Sequence, residues 1–259
     1  MRFPARGTVL LIALGLAAAA GLIACSSGPE AKPKPRARVL VFSKTDGFRH
    51  DSIPAGIAAI RDLARSNGFA VTATERSGAF TRRNLARFDA VVFLSTTGDV
   101  LGPKQERAFQ AYTRHGGGWV GVHAAADTEY DWAFYGRLLG AYFKQHPAVQ
   151  PAVIDVADRS HPSMRGLPAR WGRTDEWFDF RSDPRGSVRV LATLDESTYS
   201  GGTMGPDHPI AWCHPFRGGR AWYTAGGHTI ESYSEPAFRR HLLGGILWAA
   251  GLAKGDCRA

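Results

Sequence analysis

Four short stretches of the chain set polar, titratable residues directly after apolar runs. "FSKTDGFRHD" brings Arg49 and His50, and "LSTTGD" brings Thr97 and Asp99. "GWVGVHAAADTEYDW" brings His123, Asp127, Glu129 and Trp132, and "AWYTAGGHTIE" brings His228 and Glu231. An imidazole titrates near neutral pH, so His123 suits a general acid or base. Asp127 lies four residues after His123 and would share its face if a helix starts there, and Glu231, three after His228, would do the same, so either carboxylate is a candidate partner of the histidines. Two histidines with two or three carboxylates also suit a divalent metal, although none of these spacings is a recognised metal motif. A packed histidine hydrogen-bonded to backbone is the third reading, and residue types alone leave all three open.

A fifth stretch, "TDEWFDF" (174–180), sets Asp175 and Glu176 beside Trp177 and Phe178. Carboxylates bond sugar hydroxyls and aromatic rings cover the apolar face of a pyranose, and glycosidases work with carboxylate pairs. Glu176, Trp177 and Trp132 are therefore candidate carbohydrate contacts, against the plainer reading of a solvated turn beside core aromatics. Arg49 and His50 precede a helix and either bind an anionic group at its N-terminus or cap it. Trp212 and Trp222 fall inside strands and are expected in the core.

The stretch at 116–130, "GGGWVGVHAAADTEY", has the small residues of the strand-to-helix elbow that presents a nucleophile. His123 stands at its apex, and no serine or cysteine adjoins it, so a nucleophilic triad is not expected. Direct proton transfer to or from substrate is the role expected of His123, with Glu231 or Asp127 orienting its ring, and metal ligation is the rival.

These residues need a scaffold that gathers strand ends. "RVLVFSKT", "FAVTATE", "DAVVFLST" and residues 119–122 read as buried strands. Between them come a helix from Ser52 (N-cap) and Pro54 to Asn67, closed by Gly68, a short helical turn at "TRRNLARF", and a helix from Pro103. Strands alternating with helices imply a mostly parallel sheet with helices on both faces, and ligands at the carboxyl ends of its strands. The second half supplies strands at "VQPAVIDVAD", "SVRVLATLDE", "PIAWCHPF" and "GRAWYTAGG" without intervening helices, which predicts antiparallel additions. "PAFRRHLLGGILWAAG" closes the chain as a helix. His50, Asp99, His123, Asp127, His228 and Glu231 are expected to line one cleft, with Glu176 approaching from the second half. A separation of His123 and His228 beyond about 15 Å would contradict that strand-end rule.

The chain has 259 residues, 44% of them hydrophobic, enough for one ordinary α/β core. Its net charge is +9, but residues 1–38 carry six basic residues against one acidic, leaving only +4 spread over the rest. With no basic stripe interleaved with aromatics, nucleic-acid binding is not expected. Arg2 and Arg6 precede an apolar run at residues 9–23, a signal-peptide core too short for a stable membrane span. It ends in Leu22-Ile23-Ala24-Cys25, which resembles the bacterial lipobox and predicts acylation of Cys25 and a lipid-anchored, exported protein, with ordinary signal cleavage near the alanines and an incidental Cys25 as the alternative. The expected organisation is a signal peptide at 1–25, a Pro/Lys tether at 26–37, a domain at 38–252 and a tail at 253–259. Cys213 and Cys257 are then the remaining cysteines in a disulfide-permissive compartment, and their spacing does not decide whether they pair.

"FSKTDGFRHDSI", "LSTTGDVL", "GGGWVGVHAAADTEYDWAFYGRLLGAYFKQHP", "TDEWFDF", "HPIAWCHPFRGGRAWYTAGGHTIESY" and "FRRHLLGGILWAAG" together resemble ThuA-like (trehalose utilisation) proteins, in order from about 38 to 251. The resemblance implies a flavodoxin-like, class I glutamine amidotransferase-like α/β sandwich. It puts the 116–130 elbow where amidotransferases keep their nucleophile, and "GGHTIE" where they keep a His/Glu pair. His123 replaces the cysteine whose thiolate glutamine hydrolysis requires, so amidotransferase activity is not expected. The resemblance further implies a role in disaccharide, glycoside or keto-sugar utilisation by hydrolysis, elimination or isomerisation, with a sugar-binding protein without turnover as the alternative. It leaves the substrate and any divalent metal open.

Overall fold

In a computed structural model that describes residues 34–258, the chain begins with β1 (Arg38–Phe42), α1 (Ile53–Asn67), β2 (Ala70–Thr74), α2 (Arg82–Leu85), β3 (Ala90–Leu94), α3 (Pro103–Arg114), β4 (Gly118–Val122) and α4 (Ala133–Leu139). It continues through β5 (Phe143–Gln145), β6 (Gln150–Val156), β7 (Arg170–Asp175), β8 (Asp179–Phe180), β9 (Arg189–Asp195), β10 (Pro209–Phe216) and β11 (Gly219–Thr224), and closes with α5 (Pro236–Ala249). Cys25, the signal segment and most of the tether lie outside the described residues. No helix among the described residues is long and apolar enough to cross a membrane.

Nine strands form one sheet in the order β2-β1-β3-β4-β11-β10-β9-β6-β7. The first five are mutually parallel and the last four join them antiparallel, as the helix-free second half predicts for all its strands but β11, which pairs parallel with β4. β1 and β3 are buried runs of Val, Leu, Ala and Phe because helices cover both of their faces. In β4 and β11, Trp119 meets Tyr135 of α4, whereas Trp222 meets Gly245 and His241 of α5. Trp222 is registered with Val120 rather than Trp119, and successive strand residues face opposite ways, so α4 and α5 cover opposite faces. A Cβ at Gly245 would stand 2.5 Å from the Trp222 indole, which is why α5 carries glycine at its closest approach to the sheet.

Three local readings change. Ser52 holds the N-cap position of α1, but its hydroxyl does not cap the helix and donates instead to the Gly227 carbonyl at 3.2 Å. β7 has no hydrophobic alternation to betray it, because its buried positions are Trp171, Arg173 and Asp175, two of them charged. The segment after 252 is no loose tail. Cys257 is buried and disulfide-bonded to Cys213, and Trp248 Nε1 donates to the Gly255 carbonyl at 3.0 Å.

Candidate functional site

His123 follows β4 directly and takes a positive φ of 51°, a conformation uncommon outside glycine. β4 and β11 are parallel, with Val122 beside Thr224, so the residues that follow them also lie side by side. The His123 ring donates from Nδ1 to the Ala225 carbonyl at 2.7 Å, and a carbonyl only accepts, so Nε2 of the neutral ring carries the lone pair. Nε2 faces Glu176 Oε2 at 3.4 Å and His228 Nδ1 at 3.3 Å. Phe178 packs against the ring, centroid to centroid 4.2 Å, and Tyr223 donates its hydroxyl to the His123 carbonyl at 2.9 Å. The side chain has no solvent exposure.

Glu176 and His228 are brought in by the antiparallel half. Asp175 ends β7, and its carboxylate accepts from the Gly227 and His228 backbone N–H groups at 2.8 and 3.0 Å. Arg173, also buried, donates to that carboxylate at 2.6 Å, to Ser232 at 2.7 Å and to Glu235 at 2.9 Å. Gly227 supplies the φ of 115° that this turn needs, where a Cβ would also press on the Tyr233 hydroxyl at 2.8 Å. Glu176, the next residue after Asp175, thereby bridges imidazoles. Its Oε2 lies 3.2 Å from His228 Nδ1, and its Oε1 lies 3.1 Å from Nδ1 of His146, which follows β5.

His50 completes the cluster from the loop after β1. Its ring stands edge-to-face against His123 and His228, at 4.8 and 5.1 Å between centroids. Ser52 ties this loop to Gly227, while Thr97 donates to the Phe48 carbonyl at 2.8 Å and accepts from Gly47 N–H at 3.2 Å. His50 is 5% exposed, and its buried Nδ1 has no hydrogen-bond partner. One donor atom each from His50, His123, Glu176 and His228 lies within 4.8 Å of the others.

The electrostatics follow from this packing. Burial, with His123 and His228 adjacent, lowers the His50 imidazole to about 3, so it is neutral at physiological pH. Burial alone would raise the Glu176 carboxyl, but the His123 and His228 imidazoles packed against it outweigh that and hold it well below the usual range. The Glu176 hydrogen bond in turn raises His228. Burial opposes ionisation of Asp175 too, yet Arg173 and its other donors keep it low.

Other expected site residues are placed differently. Glu231 is exposed in a short turn and makes no side-chain bond to the histidines, so the Ala225 carbonyl, and not Glu231 or Asp127, orients His123. Asp127 is half-buried and accepts from the Tyr130 hydroxyl at 2.7 Å. Glu129 is buried and takes the Val100 and Leu101 N–H groups at 2.9 and 2.7 Å, clasping the loop ahead of α3. Asp99 is exposed, and Arg49 pairs with Glu75 on the surface at 2.7 Å. Trp132 stacks on Phe134 and Tyr135. Trp177 is fully buried, with Nε1 donating to the Gln150 carbonyl at 2.8 Å, and offers no face to a sugar. Trp212 and Trp222 are core, as expected. Nothing in "KQHP" marks His146 as a site residue, and because β7 shows no hydrophobic alternation, nothing in the sequence marks Arg173 as the buried partner of Asp175. A cavity of about 820 Å³ lined by Phe88, Tyr112, Arg114 and Arg220 sits at the opposite, amino-terminal edge of the parallel strands and contains none of this chemistry.

A family model described as trehalose utilisation, ThuA, matches residues 38–249. No curated protein matches the chain. Among solved structures, a ThuA-like protein from Bacteroides uniformis is 24% identical with a TM-score of 0.73, covering 86% of this chain and 94% of that one. A ThuA-like protein from Parabacteroides merdae is 21% identical with a TM-score of 0.69, covering 86% and 93%. A β-galactosidase from Bacillus circulans is 12% identical with a TM-score of 0.52, but only 30% of it is covered by 83% of this chain. At such identities these likenesses concern the fold alone, and they agree with the mostly parallel, flavodoxin-like sheet.

Proposed function

The chain belongs to the ThuA family, described as trehalose utilisation, and on that premise we propose that it processes a carbohydrate by proton transfer at the centre built on Glu176. One observation carries this reading: a single buried carboxylate is shared by three imidazoles, at 3.1 Å from His146, 3.2 Å from His228 and 3.4 Å from His123. The members differ in access. His146 and His228 are 40% and 25% exposed and reach substrate, whereas His123 is sealed behind them. His123, fixed by Ala225, holds the inner end of the unit, and the outer histidines exchange the proton with the sugar. Elimination or isomerisation beside a sugar carbonyl needs such a base, and a well-placed one contributes roughly 10²–10⁴-fold in rate. Glutamine amidotransfer does not fit, because histidine stands at the elbow apex and Cys213 is held in a disulfide, so neither offers the thiolate.

The test is incubation of the purified protein with a panel of disaccharides and 3-keto-glycosides, with and without divalent metals. Product from at least one substrate, lost in Glu176→Gln and His228→Gln, is expected. Saturable binding with no product would make this a carbohydrate-binding protein instead.

The Cys213–Cys257 disulfide supports an exported location, since such bonds persist in oxidising compartments. Anchoring through an acylated Cys25 is part of the same proposal. Incorporation of a labelled fatty acid, abolished in Cys25→Ser, is the expected result.

A further inference from the structure

The donor atoms around Glu176 are arranged as an ion would arrange them. His123 Nε2, Glu176 Oε2 and His228 Nδ1 form a nearly equilateral triangle with sides of 3.4, 3.2 and 3.3 Å. A tetrahedral ion with nitrogen and oxygen ligands at about 2.0–2.1 Å holds any two of them about 3.3 Å apart. The triangle therefore has the size of one face of that tetrahedron. His50 offers the fourth donor from within 4.8 Å.

Hydrogen bonding alone leaves this group short of protons. The Nδ1–H of His123 is committed to Ala225, so its Nε2 and Glu176 Oε2 both converge as acceptors on the one proton that His228 Nδ1 can offer. Nearby, His50 is 5% exposed with a buried, unpartnered Nδ1, an orphan of the kind that calls for a missing partner. A cation at the centre of the four supplies what the missing protons do not.

The surroundings are also those of a metal site. Metal-bound histidines direct their second nitrogen to a carbonyl or carboxylate, and ligating carboxylates are themselves hydrogen-bonded. His123 does the first through Ala225, and Glu176 does the second through His146. Asp175, anchored by Arg173, fixes the backbone of His228.

We propose that His50, His123, Glu176 and His228 hold one divalent first-row transition ion, zinc best matching the four-donor set. Three imidazoles and one carboxylate suit zinc and its neighbours, whereas calcium and magnesium require mostly oxygen ligands. The role of the ion in catalysis rests on the reading of this cluster as the working site. Its binding does not. With the ion in place, His146 is the histidine that stays free to meet substrate, through the ring nitrogen not bonded to Glu176.

The experiment starts from purified protein stripped with a chelator and dialysed, checked by circular dichroism to be folded. Zinc is titrated calorimetrically and Co²⁺ spectroscopically. One ion per chain, with the intense visible bands of low-coordinate cobalt, is expected. His228→Gln and Glu176→Gln should weaken zinc by more than 100-fold, and His146→Gln by about 10–100-fold as an outer partner. The exposed His115→Gln should change nothing. Failure of zinc, cobalt, manganese and nickel to bind the folded wild type stoichiometrically overturns the proposal. Unaltered affinity in folded His228→Gln and Glu176→Gln does the same. Stoichiometric metal without sugar turnover would leave the site standing and sink the proposed function, whereas full turnover by metal-free protein would keep the function and remove the metal from it.

Discussion

The imidazole Nδ1 of His123 and the carbonyl of Ala225, 2.7 Å apart, join the ends of two adjacent parallel strands that lie about a hundred residues apart in sequence. This bond fixes the tautomer of a fully buried histidine and turns its lone pair toward Glu176. It replaces the carboxylate orienter that local spacing suggested, because β4–β11 pairing brings a backbone acceptor closer than any side chain.

His146→Gln and His228→Gln are each expected to lower turnover by at least about 10²-fold while the protein still folds, and His123→Gln by less, because its sealed imidazole does not meet substrate. His123→Ala should also destabilise, by about 1–3 kcal/mol, since the buried Ala225 carbonyl loses its donor. Asparagine tolerates the positive φ better than alanine, so His123→Asn should melt above His123→Ala. A His123→Gln protein that melts early yet keeps full activity per folded molecule would reduce His123 to a structural role.

Asp175→Asn leaves Arg173 buried beside a neutral group and weakens the acceptor for the Gly227 and His228 N–H groups. Breaking a buried pair in this way costs about 3–5 kcal/mol, and Glu235, still bonded to Arg173, favours the lower end. Denaturant unfolding measures the loss. A cost under about 1 kcal/mol would show that the pair does not hold this corner of the fold.

Glu129 gives the protein a pH-dependent stability term. Burial pushes its carboxyl up from 4.5 to about 7, against the opposing N–H bonds from Leu101 and Val100. The folded state therefore binds this proton more tightly than the unfolded chain, and the contribution of Glu129 to stability falls as pH rises from about 4.5 to about 7. Glu129→Gln should remove that slope while keeping an acceptor for the loop. Unfolding curves at pH 5, 6 and 7 for both proteins decide it, and identical slopes would refute the assignment.

Reducing the Cys213–Cys257 bond opens a link between residues 44 apart in sequence and should cost about 2–4 kcal/mol. For a domain of this size the melting temperature should fall by about 5–15 °C. The Cys213→Ser/Cys257→Ser double variant should match the reduced protein, and an unchanged melt in both would show that α5 docks without the staple.

The parallel run of β1 to β4, the antiparallel character of most of the rest, and the meeting of His50, His123 and His228 are legible in the sequence. Each rests on a local rule: apolar runs mark buried strands, and in a parallel sheet the residues after them must share one edge. Only long-range packing sets Glu176 at the centre with His146 on its solvent side, commits Glu129 to a loop and buries Trp177 in the core. These outcomes depend on how β5 pairs with β8 and β6 with β7, and on whether a polar side chain finds a backbone donor nearer than the site. Glu129 meets two such donors and turns away from the histidines, whereas Glu176 is carried to them because its neighbour Asp175 is pinned by Arg173 and the turn at Gly227. Local periodicity records which face a residue occupies. It carries no record of the long-range partners that compete for a buried polar group, and that competition set the composition of the site.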